Sequence, residues 1–242
     1  MDNRKFAASL AAKKTEAPAI KTFHFGIEEG YEFKAGQFAF FEFDFQGKHY
    51  SKHFTISSSP LRKGVQFTTT VRDSDYKQAL DKLAIGADAM ISMPLGSFTL
   101  ESRKTDSIAF LAAGIGITPV RSMLQFIADS GQNRQLRIVI FYSNRNKERI
   151  AFRKELQELN KKIPLLKIVH TLTDLSAEEK NQWKGETGTI SAEMIKKYME
   201  KTQEFTFFIV GPPAFNAAMQ KILQEQLKIR NERIVLENFT GY

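Results

Sequence analysis

The chain has 242 residues, of which 42% are hydrophobic and 26% are charged, and its formal net charge is +8. Cysteine is absent, which excludes disulfides, thiolate metal sites, iron–sulfur clusters and cysteine nucleophiles, so any redox chemistry requires a bound organic cofactor. The histidines lack metal-ligand spacing and no window approaches the ~18 consecutive apolar residues of a membrane span, which predicts no metal, no membrane span and a cytoplasmic location.

The net positive charge allows an acidic partner or a nucleic acid in principle. Lysine and arginine are scattered along the chain and interleaved with glutamate, without a basic run or a recognisable nucleic-acid module. This distribution favours an ordinary solvated surface, and we predict no nucleic-acid partner.

The N-terminal part of the chain alternates between hydrophobic and polar residues, a pattern typical of half-buried β-strands. The alternation occurs in residues 23–27, 41–46 and 65–71. Turn signals separate these runs, at Gly30, Gly36, Gly47, Pro60 and Gly64. An antiparallel barrel or sandwich is therefore predicted.

One helix is predicted within this β-rich part. Tyr76, Leu80 and Leu83 recur at helical spacing, and Gly86 ends the pattern.

The pattern changes near residue 105. Four apolar strands are predicted, over residues 107–113, 137–142, 165–172 and 205–210, and helical patterns alternate with them. Strands that are apolar on both faces and separated by helices indicate a parallel sheet covered on both sides. With the boundary placed at residues 100–106, the sequence predicts two domains, a β-barrel over residues 1–103 and an α/β domain over residues 104–242.

A glycine-rich turn follows the first strand of the predicted α/β domain. Gly114 and Gly116 lie between this strand and a helix, for which we predict Thr118 as the N-cap and Pro119 as the first helical residue. Backbone amides at such a helix start can bind an anion, with pyrophosphate as the obvious candidate. The third glycine of the usual dinucleotide fingerprint is missing, so a plain tight turn is the alternative.

Two further strand ends carry candidate ligand-binding residues. Ser143 and Arg145 end the second strand, where α/β sheets bind the ribose and any 2′-phosphate of a dinucleotide, although both could also be exposed loop residues. Gly211, Pro212 and Pro213 form a rigid turn after a later strand, which could let a ring approach the sheet.

In the β-rich part, residues 52–60 combine an aromatic ring with four hydroxyl side chains. The hydroxyls can hydrogen-bond the edge of a polar ring, and Phe54 offers a face for stacking. Taken alone, the segment could equally be an ordinary serine-rich turn.

The order of these motifs resembles the ferredoxin-NADP reductase superfamily along essentially the whole chain. Residues 52–58 are similar to the family's Arg-x-Phe-Thr-x-x-Ser motif, and residues 36–38 match its Gly-Gln-Phe. Residues 75–80 are similar to the helix that receives the FAD pyrophosphate, and residues 94–98 to the motif at the end of the barrel. The glycine-rich turn at 114–119 and the Gly-Pro-Pro at 211–213 follow in the family's order.

The resemblance implies that FAD binds the N-terminal barrel and that NADPH or NADH binds the C-terminal domain. It implies that Phe54 stacks on the isoalloxazine, that Thr55 hydrogen-bonds near its N5, and that Ser58 holds a backbone turn or a phosphate. Near the C-terminus, Glu237 would assist proton movement and Phe239 would shield the flavin face. Thr55, Glu237 and Phe239 thus form the implied catalytic set.

The implied cofactor-binding residues are drawn from all of these motifs. They are Lys52, His53, Phe54, Thr55, Ile56, Ser57, Ser58, Tyr76, Lys77, Gln78, Gly114, Gly116, Ile117, Thr118, Pro119, Ser143, Arg145, Gly211, Pro212, Pro213, Phe239 and, as a second choice for the shield, Tyr242.

The sequence departs from the family pattern at four points. Lys52 replaces the usual arginine, so a phosphate would meet a point charge instead of a bidentate fork. Lys77 replaces a serine or threonine, Met93 replaces a glycine, and the cysteine found near the nicotinamide in many relatives is absent. These departures leave FMN or weakly held FAD open.

The predicted function is an oxidoreductase that transfers hydride from NAD(P)H to FAD and passes electrons to a separate acceptor such as ferredoxin, flavodoxin or another redox protein. The positive charge favours a small acidic redox protein as that acceptor. Arg145 together with Ser143 favours NADPH over NADH. Two alternatives remain open, namely a flavin reductase that uses flavin as a substrate and a non-catalytic module that senses flavin or nucleotide.

Overall fold

The structure is a computed structural model that describes residues 4–28, 30–102, 105–131 and 135–238. The chain divides into two compact units. The first comprises Met1–Leu100 and Thr118–Ser130, and the second comprises Glu101–Ile117 and Gly131–Tyr242.

The first unit is built on a six-stranded antiparallel sheet. Its strands are β1 (Arg4–Ala17), β2 (Ile20–Ile27), β3 (Phe38–Phe45), β4 (Lys48–Thr55), β5 (Val65–Thr70) and β6 (Asp88–Leu95), and its first helix is α1 (Asp75–Lys82). The strand order is β4-β3-β6-β1-β2-β5.

Period-two alternation explains which side chains of this sheet form the core. On β3, Phe41 and Phe43 are buried, whereas Phe40 between Ala39 and Phe41 is exposed. The buried phenylalanines pack with others from β2 and β5, among them Phe25 and Phe67, so most of the aromatic content of this unit is core.

The β3–β4 hairpin is specified by its loop. Gln46 and Gly47 both have positive φ, and they join Phe45 to its partner Lys48. Such two-residue loops match the right-handed twist of the flanking strands.

The second unit is built on a six-stranded parallel sheet. Its strands are β7 (Ser107–Ala113), β8 (Arg137–Asn144), β9 (Leu166–Leu172), β10 (Glu186–Thr187), β11 (Thr206–Gly211) and β12 (Ile234–Asn238). Helix α2 (Ile117–Ser130) follows β7. The later helices are α3 (Arg153–Lys162), α4 (Ala177–Gln182), α5 (Ala192–Tyr198) and α6 (Pro213–Lys221). Helix α6 continues as a π-helical turn over Ile222–Gln226.

The order of the second sheet is β10-β9-β8-β7-β11-β12. The chain moves outward from β7 through β8 and β9 to β10, and then returns to the other side of β7 with β11 and β12. The direction of winding therefore reverses between β7 and β11. In open α/β sheets, ligands bind at the carboxyl ends of the strands that flank such a reversal.

The predicted fold class is confirmed, with an antiparallel sheet in the first part and a parallel sheet with helices in the second. The predicted helix start at the glycine-rich turn is wrong. Helix α2 begins at Ile117 with Gly116 as its N-cap and no capping side chain, so Thr118 and Pro119 lie inside its first turn. The helix starts early because Gly114–Gly116 already form a 3-10 turn that runs directly into it.

The compact units differ from the predicted division at helix α2, since residues 118–130 group with the first unit. The hydrogen bonds of the helix explain this grouping. Arg121 Nη1 donates to Ser57 O at 2.9 Å and Ser122 Oγ donates to Ser58 O at 2.6 Å. Among the helices of the described residues, none is long and apolar enough to cross a membrane.

Candidate functional site

The glycine-rich turn and the Gly-Pro-Pro turn lie at neighbouring strand ends of the parallel sheet, on the two sides of the winding reversal. Gly114–Gly116 follow β7, and Gly211 ends β11, whose Val210 pairs with Ala112. A Cβ on Gly116 would lie 2.6 Å from Val210 O, closer than any real contact. Only glycine therefore allows this turn to approach β11 so closely.

The second turn is equally constrained. A Cβ on Gly211 would lie 2.6 Å from a ring carbon of Phe215 and 3.1 Å from the Cβ of Ala113. Pro213 occupies the first position of helix α6 behind Pro212, which is a favoured place for proline. The turns at residues 114–116 and 211–213 thus expose backbone with little side chain at the carboxyl ends of β7 and β11, and we call this pair of turns the glycine cradle. Its exposed backbone fits the close approach of a pyrophosphate or a flat ring.

Two buried side chains that we did not predict as site residues support this cradle. The hydroxyl of Tyr142 donates to Gly114 O at 3.1 Å, and burial raises the pKa of this phenol above its ordinary value. Asn216 Nδ2 donates to Glu237 O at 2.7 Å, while its Oδ1 is buried with no partner among the described residues. Both act on residues distant in sequence, so no local pattern could have revealed them.

The predicted 2′-phosphate residues lie one strand further along the sheet. Ser143 pairs with Ala113 in the β7–β8 ladder and is buried, whereas Arg145 beyond the strand end is exposed. The backbone N–H of Asp174, after β9, donates to Arg145 O at 2.8 Å. This bond joins the backbone after β8 to the backbone after β9.

Glu237 lies on β12, where it pairs with Val210 next to the glycine cradle. Desolvation raises the pKa of its carboxyl group to about 7. A carboxyl group with this pKa can hold a proton near neutral pH, which is a requirement for a group that moves protons.

The raised pKa of Glu237 has a testable consequence for stability. A raised folded-state pKa stabilises the protein at low pH, and this contribution is lost as the pH rises from the unfolded-state value of 4.5 through about 7. We expect the unfolding free energy of the wild type, relative to Glu237→Gln, to fall by about 2 kcal/mol between about pH 5 and pH 8. Urea unfolding of both proteins measures this difference, and a pH-independent difference would contradict the raised pKa.

In the first unit, three cationic side chains surround the start of helix α1. Burial lowers the pKa of Lys77, and the neighbouring charges of Lys52 and Arg72 lower it further. Among the described residues, no carboxylate forms an ion pair with any of the three, whereas Asp75 pairs with Lys48 at 2.7 Å. Unpaired cations that repel one another favour an incoming anion, so this cluster fits a pyrophosphate group.

Phe54 is half-buried in the aromatic cluster of the first sheet. Its ring is stacked on Phe67 with centroids 4.5 Å apart and an interplanar angle of 10°, and Phe41 and Tyr76 lie nearby. One face of the ring is therefore occupied by protein. Lys52 lies on the same side of β4 as Phe54, two residues away, whereas His53 lies on the opposite side against Phe38 and Phe40.

The hydroxyl-rich segment after Phe54 is mostly buried, and its hydrogen bonds are made within the protein. Thr55 is 5% exposed and Ile56 is part of the core. Ser57 Oγ donates to Gln66 O at 3.2 Å, and Ser58 Oγ accepts from Gln66 N at 3.1 Å. The Ser58 hydroxyl thus binds the backbone of strand β5, and its predicted role at the cofactor stays a prediction.

Two residues of the helix α1 segment also have structural partners. The Tyr76 hydroxyl donates to Phe41 O at 3.1 Å, and burial raises the pKa of this phenol. Gln78 Nε2 donates to Arg72 O at 3.1 Å, which helps to fix the backbone of Arg72 in the cation cluster.

Residues 36–38 and residues 94–98, which resemble two motifs of the ferredoxin-NADP reductase superfamily, contact each other in the first unit. Gln37 Nε2 donates to Gly96 O at 3.0 Å, and a Cβ on Gly36 would lie 2.1 Å from Phe98 O. Gly36 also has positive φ, so a side chain is disfavoured there on both counts. Phe239 and Tyr242, the predicted shields of the flavin, lie outside the described residues.

Part of the chain matches a known protein family. Residues 110–221 match the family model described as the oxidoreductase NAD-binding domain. These residues contain the glycine-rich turn, the strand end at Ser143 and Arg145, and the Gly-Pro-Pro turn.

Curated relatives share between a quarter and a third of their aligned residues with this chain. The glycine betaine monooxygenase reductase subunit of Chromohalobacter salexigens is 28% identical over 211 residues, which are 85% of this chain and 56% of that protein. The NADH-cytochrome b5 reductase 1 of Mortierella alpina is 26% identical over 183 residues, which are 74% of this chain and 59% of that protein. The chain thus spans little more than half the length of these relatives.

Solved structures share the fold over nearly the whole chain. The flavohem-like FAD/NAD-binding domain of nitric oxide dioxygenase from Vibrio cholerae has a TM-score of 0.82 at 19% identity, covering 99% of each chain. A ferredoxin NADP+ reductase from Neisseria gonorrhoeae with bound FAD and NADP has a TM-score of 0.78 at 20% identity, covering 98% of this chain and 99% of that one.

Proposed function

We propose that this chain is an NAD(P)H-dependent flavoprotein reductase of the ferredoxin-NADP reductase superfamily, a proposal supported by the matched NAD-binding family model, by the curated reductase relatives and by the shared fold. In this proposal FAD binds the first unit, the reduced dinucleotide binds the second, and the electrons leave to a separate acceptor.

The observation that carries the proposal is the cradle at the winding reversal. Gly116 and Gly211 bring two bare turns together at the carboxyl ends of β7 and β11, where ligands of α/β sheets bind. We propose that Gly114, Gly116 and the first amides of helix α2 receive the dinucleotide pyrophosphate, and that the turn at Gly211 receives the nicotinamide end.

For the flavin, we propose that Lys52, Arg72 and Lys77 hold the pyrophosphate and that the exposed part of Phe54 packs against the isoalloxazine. The unpaired charges around Lys77 and the partial exposure of Phe54 support these roles. When bound, FAD supplies the chemistry that accepts two electrons at once and releases them singly.

The chain's own residues would bind, orient and handle protons. Thr55, held on β4 between the core residue Ile56 and Phe54, would offer its hydroxyl to the flavin ring at a fixed position. Glu237, with its pKa of about 7, would hold and release a proton at neutral pH. Phe239 remains a prediction from the resemblance, as the shield of the flavin face.

The acceptor is proposed to be another protein or domain. The relatives named above are a monooxygenase reductase subunit and a cytochrome b5 reductase, and this chain spans little more than half of each. The net charge of +8 supports an acidic redox protein as the partner.

Anaerobic mixing with NADH or NADPH tests the proposal. We expect the purified protein to be yellow and its absorbance band near ~450 nm to bleach on addition of one dinucleotide, since the ring must take up two electrons. A protein that retains flavin but is not bleached by either dinucleotide would support the sensing module instead. Loss of the yellow colour on gel filtration, with flavin reduction intact, would support the flavin-as-substrate reductase.

Removal of the exposed guanidinium of Arg145 tests its proposed contact with a 2′-phosphate. We expect Arg145→Ala to raise the KM for NADPH about tenfold and the KM for NADH less than about twofold, because only NADPH loses a charge-assisted bond. Arg149→Ala, which removes another exposed arginine from the same loop, is the matched control. Equal effects of Arg145→Ala on both dinucleotides would refute the contact.

A further inference from the structure

A cavity lies at the outer edge of the parallel sheet. It has a volume of about 400 Å³ and is bordered by residues 168–170 of β9, the loop 182–186, and side chains that include Lys147, Arg153 and Tyr198. No residue of the two turns at the winding reversal borders it. We call this cavity the β9-edge pocket.

The pocket exists because β10 is too short to cover β9. Glu186 and Thr187 pair only with Thr171 and Leu172, so the preceding loop crosses the open edge of β9 instead of pairing with it. Gly185 makes this crossing possible, since a Cβ there would lie 2.8 Å from His170 O.

The charge around the pocket is positive. Lys147, Arg153 and Lys184 border it, and in the described part of the chain no carboxylate forms an ion pair with any of them. Of the described residues that line the pocket, Glu186 alone carries a carboxylate, and it is already bound by Lys197 at 2.7 Å and by the hydroxyl of Tyr198. An anionic ligand would therefore meet unpaired cations.

The pocket also presents aromatic rings. The guanidinium of Arg153 lies 5.8 Å from the centre of the Trp183 ring, and Trp183 Nε1 donates to Glu186 O at 2.8 Å, which fixes the indole. Tyr198 contributes a second ring to the lining. A fixed indole beside a planar guanidinium is suited to stacking with a flat ring.

One polar atom at the pocket is unsatisfied. His170 Nδ1 is buried without a partner among the described residues. Burial, and then the charge of Arg153, lower the pKa of this imidazole to about 4, so the ring is neutral at physiological pH. A buried polar group without a hydrogen bond destabilises the folded protein.

We propose that the β9-edge pocket binds a planar aromatic anion, that is, a flat ring carrying a phosphate or carboxylate group, as a ligand separate from the dinucleotide. The unpaired cations bind its charge, and Trp183 and Arg153 stack with its ring. The pocket lies at β9 and the loop before β10, whereas the dinucleotide cradle lies at the carboxyl ends of β7 and β11, and the proposal does not depend on the proposed reductase activity.

Trp183 is the single tryptophan of the chain, so its fluorescence reports on the pocket directly. The protein as purified is titrated with AMP, with benzoate and with inorganic phosphate, each with and without saturating NAD+. We expect a saturable change in tryptophan emission with AMP, which would identify a nucleotide site, or with benzoate, which would identify an aromatic carboxylate site. We expect this change to persist in the presence of NAD+.

Variants that remove one charge from the pocket test whether the change in tryptophan emission comes from binding in the pocket. Arg153→Gln and Lys184→Gln are each expected to weaken binding about tenfold, which is the effect of one lost charge-assisted bond. Lys154→Gln, which removes an exposed lysine from the same helix outside the pocket, should bind as the wild type. The proposal is overturned by no saturable response to either ring compound, by an equal response to phosphate alone, by unchanged affinity in both pocket variants, or by loss of the response with NAD+.

Discussion

Replacing Gly116 with alanine is expected to destabilise the protein by about 2–4 kcal/mol and to abolish its response to NADH and NADPH. The new Cβ would lie 2.6 Å from Val210 O and 3.0 Å from Val210 C. These are backbone atoms of a central strand that is hydrogen-bonded on both sides, so they cannot move aside as a flexible side chain could. The turn must instead move away from β11, which opens the cradle.

Two measurements check this expectation. Urea unfolding gives the loss of stability, and anaerobic reduction by the dinucleotides in native buffer gives the loss of binding. Gly26→Ala is the matched control, because a Cβ at Gly26 meets only Ser9 Oγ at an ordinary 3.9 Å. Wild-type stability and reduction in Gly116→Ala would mean that the close approach of the two turns does not shape the site.

Removing a charge from the cation cluster is expected to release FAD. Lys52→Gln and Lys77→Gln should each weaken FAD binding by about tenfold, and the double variant should purify without colour, because each lysine supplies a charge-assisted bond to phosphate. The apoprotein should be as stable as the wild type or more stable, because burial and then the charges of Lys52 and Arg72 lower the pKa of Lys77, so removing one of these lysines reduces repulsion.

Titration of each apoprotein with FAD, followed by the quenching of flavin fluorescence, measures the affinity. Lys82→Gln is the matched control, because this exposed lysine lies at the other end of helix α1. Lys52→Arg should strengthen binding, since a guanidinium meets phosphate with two bonds. If the lysine variants bind FAD as tightly as the control, the flavin pyrophosphate lies elsewhere.

Four of the six strands of the second unit, β7, β8, β9 and β11, could be predicted closely from sequence, for a physical reason. Residues 107–113 form an apolar run buried on both faces and bounded by Asp106 and Gly114, and strand β7 occupies the same residues. Strong local patterns of this kind specify element type wherever the tertiary structure agrees with them. The start of helix α2 was predicted incorrectly, because Thr118 was read as a cap although the tight turn at Gly114–Gly116 already continues into the helix.

The contacts of the candidate site were harder to predict from the sequence than the strands were. Ser57 and Ser58 have the right residue types for a cofactor contact, but helix α2 binds their carbonyl groups and the chain at Gln66 binds their hydroxyls. Arg72 was not predicted, because only the packing of β4 near helix α1 brings Lys52 to the charges of Arg72 and Lys77. Residues that meet across distant segments leave no periodic signal in the chain.

By itself, the sequence determined the two kinds of sheet, the glycine-bearing turns and the order of motifs that resembles the ferredoxin-NADP reductase superfamily, because hydrophobic period and turn chemistry are local properties. Only the tertiary structure decided that β11 returns to the side of β7 opposite β8, which brings Gly116 and Gly211 together at one edge. It also decided which polar side chains remain exposed to ligands and which are bound within the protein. Strand order and burial depend on contacts between segments far apart in the chain, and no local pattern encodes them.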